Sequence, residues 1–151
     1  SKPIPFKDVR EPYGKAMDPD SMQAKLLKYR IPTDRCIADI NERVRKVKNN
    51  GFSTPINRDD EPIQTIVAGS SLYRMCDGLL MTDKDIIGCQ TFPQDYDFMD
   101  QSVQYICGMS VPPVMMATLL CNLMGIPPCV VVFLLYPIFP VSSVIISPNL
   151  T

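Results

Sequence analysis

The sequence contains no histidine, no Cys-x-x-Cys pair and, from Gln101 to Thr151, no Lys, Arg, Asp or Glu. Without histidine the Ser-His and Cys-His nucleophile pairs are excluded, together with any histidine general base, so hydrolase readings lose most of their ground. A Cys/His zinc site is excluded for the same reason, and no metal site is expected. The six cysteines, Cys36, Cys76, Cys89, Cys107, Cys121 and Cys129, then fit a reduced, cytoplasmic protein. The opening SKPIPFKDVREPYGK is polar and proline-bearing, which is unlike a signal peptide or an N-terminal anchor.

What is present is unevenly spread. All 15 basic and 16 acidic residues lie at or before Asp100, so a formal charge of −1 conceals a charged half joined to an uncharged one. At 151 residues there is enough chain for one domain with a real core. Pro3, Pro5, Pro12 and Pro19 disfavour regular structure and suggest an extended lead-in, a linker or an arm. A short helix is expected over Ser21 to Tyr29, ended ahead of Pro32. Thr33 is positioned to cap a second helix in which Cys36, Ile37, Ile40, Val44 and Val47 recur at helical spacing, with Asn49-Asn50-Gly51 as its stop.

Between Lys25 and Lys48 stand eight basic residues against three acidic ones, a local charge of +5. A face of that sign suits phosphate contacts through charge-assisted bonds and counterion release, with Lys46 and Lys48 as candidates; an ordinary solvated helix face has the same composition. Residues 52 to 80 mix turn signals with short apolar runs, Ile63 to Val67 and Leu79 to Met81, which read as brief strands. Thr82-Asp83-Lys84-Asp85 has the form of a capping box and starts a helix at Asp83 that runs to about Gln90, because Phe92-Pro93 interrupts it. Another helix start falls at Ser110, with Pro112 and Pro113 in its first turn and Gly125 as terminator.

Met81 to Phe98, MTDKDIIGCQTFPQDYDF, resembles the ninth conserved motif of DNA cytosine-5 methyltransferases, Leu-Thr-x-Arg-Glu-x-x-Arg-Leu-Gln-x-Phe-Pro-Asp-x-Tyr/Phe. Thr82, Gln90, Phe92, Pro93 and Tyr96 match, and Lys84 and Asp85 keep the charges of the Arg-Glu pair. Gly88 and Cys89 depart from Arg-Leu. Lysine does not reproduce an arginine fork, so support of the recognition region is either weaker or shifted to Arg74. Gln104 to Ala117, QYICGMSVPPVMMA, resembles the tenth motif, Ile-Gly-Asn-Ser/Ala-Val-Pro followed by a helix. Gly108, Ser110, Val111 and Pro112 match, and Met109 replaces the asparagine that in the family lies beside S-adenosyl-L-methionine. Glu61 to Ile66 looks like the Pro-x-x-Thr-Ile segment that closes the target-recognition region.

The resemblance implies an α+β chain. Residues 1–80 would be part of a small irregular recognition region with short strands and helices, and residues 81–124 the closing helices of a methyltransferase domain, with 125–151 an apolar tail. It also implies site residues: Gly108, Met109, Ser110 and Val111 toward S-adenosyl-L-methionine; Lys46, Lys48, Thr65, Arg74 and Lys84 toward double-stranded DNA; Thr82, Asp85, Gln90, Phe92 and Pro93 as structural motif residues. The family's Pro-Cys-Gln loop, Glu-Asn-Val strand and Phe-x-Gly-x-Gly loop are all lacking, so no catalytic residue is assigned. A larger methyltransferase subunit, or a missing N-terminal region, is the implied partner. Pro127-Pro128-Cys129 echoes the nucleophile loop only superficially, since no cation flanks it.

Cys129 to Ile146 is long and uncharged enough for a membrane span, although Pro137 and Pro140 interrupt it. It reads as a tail buried on a partner, a membrane anchor, or a C-terminus altered by frameshift or truncation. Two further readings therefore stand beside the methyltransferase fragment: a small membrane-anchored protein with a soluble N-terminal head, and a DNA-binding module without methylation.

Overall fold

A computed structural model describes residues 3–48 and 53–125. The chain divides into two units, Ser1–Ser110 and Val111–Thr151. The first is a mixed α+β assembly in which helices outweigh a minimal sheet.

Its first helix, α1 (Met22–Leu27), starts where Ser21 Oγ accepts from Ala24 N at 3.2 Å. The second, α2 (Ile37–Arg45), is not capped by Thr33: Asp39 Oδ2 instead accepts from Arg35 N and Cys36 N at 2.8 and 3.1 Å. A carboxylate one turn inside a helix satisfies two unpaired donors at once, which a hydroxyl three residues before the N-cap cannot do. The helix ends early, with Lys46 at φ 59°, so Val44 and Val47 lie exposed; the expected Asn49-Asn50-Gly51 stop falls outside the described residues.

Strands β1 (Ile56–Asn57) and β2 (Tyr73–Arg74) pair in parallel, Ile56 opposite Tyr73. Leu80 adds antiparallel bridges to Tyr73 and to Lys15, so the run Leu79 to Met81 contributes bridging at one residue rather than a strand. Gly14 permits the approach of the Lys15 segment, since a Cβ there would lie 2.6 Å from Leu79 Cβ. Ile63 to Val67 forms no strand. Its Gln64 N–H is taken by Asn57 Oδ1 at 2.9 Å, and Asn57 itself is buried. A side-chain acceptor has replaced the ladder partner that a strand would need.

The lead-in is no linker. Phe6 is wholly buried, Phe6 N and Lys7 N donate to Glu61 and Asp59 carbonyls at 2.9 and 3.0 Å, and Phe6–Asp8 makes a short 3-10 turn. Prolines deny this segment a regular ladder yet leave an extended chain free to pack an aromatic ring.

Helix α3 (Asp83–Cys89) begins where the capping box places it. It ends with Thr91 at φ 57°, Thr91 N donating to Gly88 O and Phe92 N to Ile87 O, both at 3.1 Å, the bonding of a Schellman turn. Helix α4 (Val103–Met109), with Ser102 as N-cap, occupies residues where no helix was expected. Two apolar clusters result. Phe6, Ile66, Leu72, Met81, Ile86 and Cys107 form one, and Leu26, Leu27, Ile40, Ile56 and Tyr73 the other.

The second unit contains α5 (Pro113–Met124), whose N-cap is Pro112 rather than Ser110, and whose C-cap is Gly125 at φ 65°. Proline fits a first turn because its missing N–H would be unpaired there. Most of α5 is exposed and uncharged, including Met115, Met116, Leu119 and Leu123. Within Val103–Met124 an 18-residue window reaches mean hydropathy 1.6, and by length and composition alone the stretch could cross a membrane. Ser110 is extended at ψ 154°, however, so α4 and α5 are separate helices. Twelve residues of α5 span only about 18 Å, short of a bilayer core. The tail Cys129 to Ile146 and Pro127-Pro128-Cys129 lie outside the described residues.

Candidate functional site

The segment Met81–Phe98, which resembles motif nine, is built around a buried carboxylate. Asp85 has no exposure; its Oδ2 accepts from Thr82 N at 2.7 Å, while Thr82 Oγ1 accepts from Asp85 N at 3.0 Å. Asp85 Oδ1 accepts from Glu11 N at 2.6 Å, which ties α3 to the N-terminal segment. Opposite stands Arg74, also wholly buried, with Nη1 3.4 Å from Asp85 Oδ2 and Nη2 3.1 Å from both Asp77 Oδ2 and Glu11 O. Buried charges persist only when paired and hydrogen-bonded, and each of these has several partners.

Arg74 therefore does not occupy the position that a DNA phosphate contact requires. Its guanidinium is enclosed and committed to Asp85, Asp77 and Glu11, which makes it the support for the motif and corrects its assignment to DNA. The remaining motif-nine residues serve the same packing. Phe92 meets Tyr96 edge-on at 5.1 Å and Phe98 at 5.7 Å, Pro93 accepts from Tyr96 N at 3.1 Å, and Gln90 caps α3.

The segment Gln104–Ala117, which resembles motif ten, departs from the expected loop. Gly108 lies within α4, where a Cβ would sit 2.6 Å from Ala68 N and 3.0 Å from Ala68 Cα. The glycine admits backbone rather than a ligand. Gln104 strengthens the same contact by donating to Val67 O at 2.7 Å and also to Ser70 O. Ser110 Oγ donates to Ile106 O at 2.6 Å. Of the four residues assigned to S-adenosyl-L-methionine, Gly108 and Ser110 are thus engaged internally, while Met109 and, in the second unit, Val111 are exposed. These four do not make a cofactor cradle by themselves.

The Gly-x-Ser-Val-Pro pattern reads as a turn and masks the helix α4 that precedes it. The signal was Ser102 ahead of Val103, Ile106 and Cys107 at helical spacing.

The cationic run sorts differently. Asp34, 4% exposed, receives Arg43 at 2.7 Å, and Asp39 is used in capping α2. Arg30 donates to the carbonyls of Leu27, Met75 and Cys76. Two of the three acids are therefore turned inward, leaving Lys28, Arg35, Arg45, Lys46 and Lys48 exposed. Lys84 and Thr65 are exposed as well. Burial pushes the Cys89 and Cys107 thiols up, to about 12 and about 11, with Asp85 and Asp83 adding to the respective shifts. Neither suits a nucleophile at neutral pH.

No family model matches this chain, and no curated protein or solved structure matches it.

Proposed function

We infer that this chain is the recognition-and-closing part of a DNA cytosine-5 methyltransferase. It would contact double-stranded DNA and complete the fold of a larger part that carries the catalytic cysteine and the S-adenosyl-L-methionine site. It would act as one subunit of a split enzyme or as a fragment of a longer chain, of the kind found in restriction-modification. One observation supports this above the rest. The three segments that resemble the family in sequence order also meet in one core: Ile66 from the first, Ile86 and Phe92 from the second, and Cys107 from the third.

The S-adenosyl-L-methionine contribution of this chain would be small. Gly108 and Ser110 are engaged internally, so only the exposed residues Met109 and Val111 remain to flank a cofactor held by the larger part. DNA contact falls to Lys46, Lys48, Thr65 and Lys84, all exposed.

Co-expression with a chain bearing the Phe-x-Gly-x-Gly and Pro-Cys-Gln loops should give methylation of cytosine in duplex DNA, followed with labelled methyl donor. Failure of the mixture to methylate any DNA would overturn the enzyme reading. Independently, Lys46→Ala with Lys48→Ala should lower the slope of log affinity against log salt by about 1.8, because each lost phosphate contact removes about 0.9. An unchanged slope removes these lysines from the interface. The membrane-anchored reading rests on the uncharged stretch Cys129 to Ile146, and carbonate-resistant membrane association of the chain alone would favour it.

A further inference from the structure

Between α1 and α2 lies an open cleft of about 400 Å³. Its walls are Met22, Leu26, Tyr29 and Val44, with Lys25 and Arg45 also lining it. Met22 and Tyr29 are more than half exposed, so apolar surface is left facing solvent beside concentrated positive charge. Asp20 lines the cleft too, 3.5 Å from Lys25, but both partners are highly exposed and such a pair exchanges readily. Aliphatic and thioether walls offer few groups to read a base edge, and a base within a duplex cannot enter a recess. The cleft is suited instead to an apolar side chain carried on an acidic segment.

The same unit carries such a segment. Asp95 to Asp100 overlaps the end of the Met81–Phe98 segment and presents Asp95, Asp97 and Asp100 to solvent around Met99. Met99 is 84% exposed and held at φ 51°, a conformation that a side-chain-bearing residue adopts only when its surroundings impose it. Here Asp97 Oδ1 accepts from Met99 N at 2.7 Å, and Gln101 N donates to Phe98 O at 3.1 Å. Phe98 packs against the core and Tyr96 against Phe98, so the turn stands on a firm base with its methionine outward. Methionine is well suited to an irregular apolar recess.

The geometry points to self-association, with Met99 of one copy seated in the α1/α2 cleft of a second and Asp95 and Asp100 facing Lys25 and Arg45. Cleft and turn are different surfaces, so the contact is heterologous; two of them related by a two-fold axis close a dimer, and otherwise chains extend. This contact does not depend on any role in methylation.

The test uses two full-length charge-reversed chains. Lys25→Glu with Arg45→Glu makes both surfaces acidic; Asp95→Lys with Asp100→Lys makes both basic. Asp97 is left in place because it holds the turn. All four substituted residues are exposed, and circular dichroism checks that each variant keeps its fold. Association is followed by energy transfer between donor- and acceptor-labelled chains. The wild type should associate, more weakly at high salt, and each variant alone should lose about tenfold or more in affinity through like-charge contact. The two variants mixed should regain association, since each supplies the surface the other reversed. Met99→Ser should weaken the wild-type contact without altering its salt dependence. The proposal is overturned if the mixture associates no better than either variant alone. It is equally overturned if reversal at Lys25 and Arg45 abolishes duplex DNA binding while association is unchanged, which would assign those cations to nucleic acid.

Discussion

Replacing Asp85 by alanine should be among the most damaging single changes in the first unit. The carboxylate is fully buried and satisfies Thr82 N, Glu11 N and the Arg74 guanidinium. Losing the cap of α3 costs about 1 kcal/mol. Leaving Glu11 N without its partner costs a further 1 to 2 kcal/mol, roughly the desolvation penalty of an unmet donor. Arg74 keeps Asp77 at 3.1 Å and Glu11 O at 3.1 Å, so its charge is not left bare. Its loss therefore adds about 1 kcal/mol rather than the full 3–5 kcal/mol of an abandoned buried ion. The sum, about 3–4 kcal/mol, is a large part of the stability of any domain this size. Urea unfolding followed by far-ultraviolet circular dichroism, with an unchanged slope, measures it. Thr82→Ala removes only the hydroxyl cap and should cost about 1 kcal/mol. Equal losses for the two variants would show that Asp85 acts only as a cap and would refute the hub assigned to Arg74 and Asp85.

Gly108→Ala should lower stability by about 1–3 kcal/mol, as overpacking does, because its Cβ must displace the Ala68 backbone, whereas Gly69→Ala meets nothing within 4 Å and should leave the melting midpoint nearly unchanged. Peptide mapping after treatment with a thiol reagent at pH 8 should find exposed Cys76 modified quickly, and Cys89 and Cys107 modified only on unfolding. Because burial raises those two thiols in the folded state from 9.0 toward about 12 and about 11, the folded chain holds their protons longer than the unfolded chain. Their contribution is complete below pH 9 and is lost as pH climbs through 11 to 12; alkaline melts of Cys89→Ala should show a shallower fall than the parent.

How much of this could be read in advance depended on the range of the interaction. Ser21, the Thr82 to Asp85 box and Gly125 act within four residues of themselves, so their letters sufficed to place helix ends. Thr33 failed because Asp39, inside the next turn, offered better acceptor geometry for two donors. The burial of Phe6 was not legible, since Glu61 and Asp59, the partners of Phe6 and Lys7, are more than fifty residues away in sequence. Nor was the missing strand at Ile63 to Val67, where the decisive acceptor was the side chain of Asn57. At the candidate site the same divide holds. Arg74 carried two expectations, a support for the recognition region and a DNA contact, and Asp85 from eleven residues on and Glu11 from the other end hold it in a buried supporting place.

The resemblance to the methyltransferase motifs gains a physical sense from where matches and departures fall. Thr82 caps a helix, Phe92 packs into the aromatic cluster and Gly108 admits the Ala68 backbone, so these matching residues are ones a folded core requires. Lys84 and Met109, which differ from the family, are exposed, and Gly88 has room, its nearest neighbour for an added Cβ being Val9 O at 3.6 Å. Changes there disturb no packing, and they are also the places where a side chain could meet DNA or cofactor. On the proposed reading, packing of the core and contact with DNA or cofactor would rest on different residues. A variant that restores arginine at Lys84 or asparagine at Met109 should leave the melting midpoint nearly unaltered, and any gain it gives in DNA affinity or methylation would then report on the interface alone.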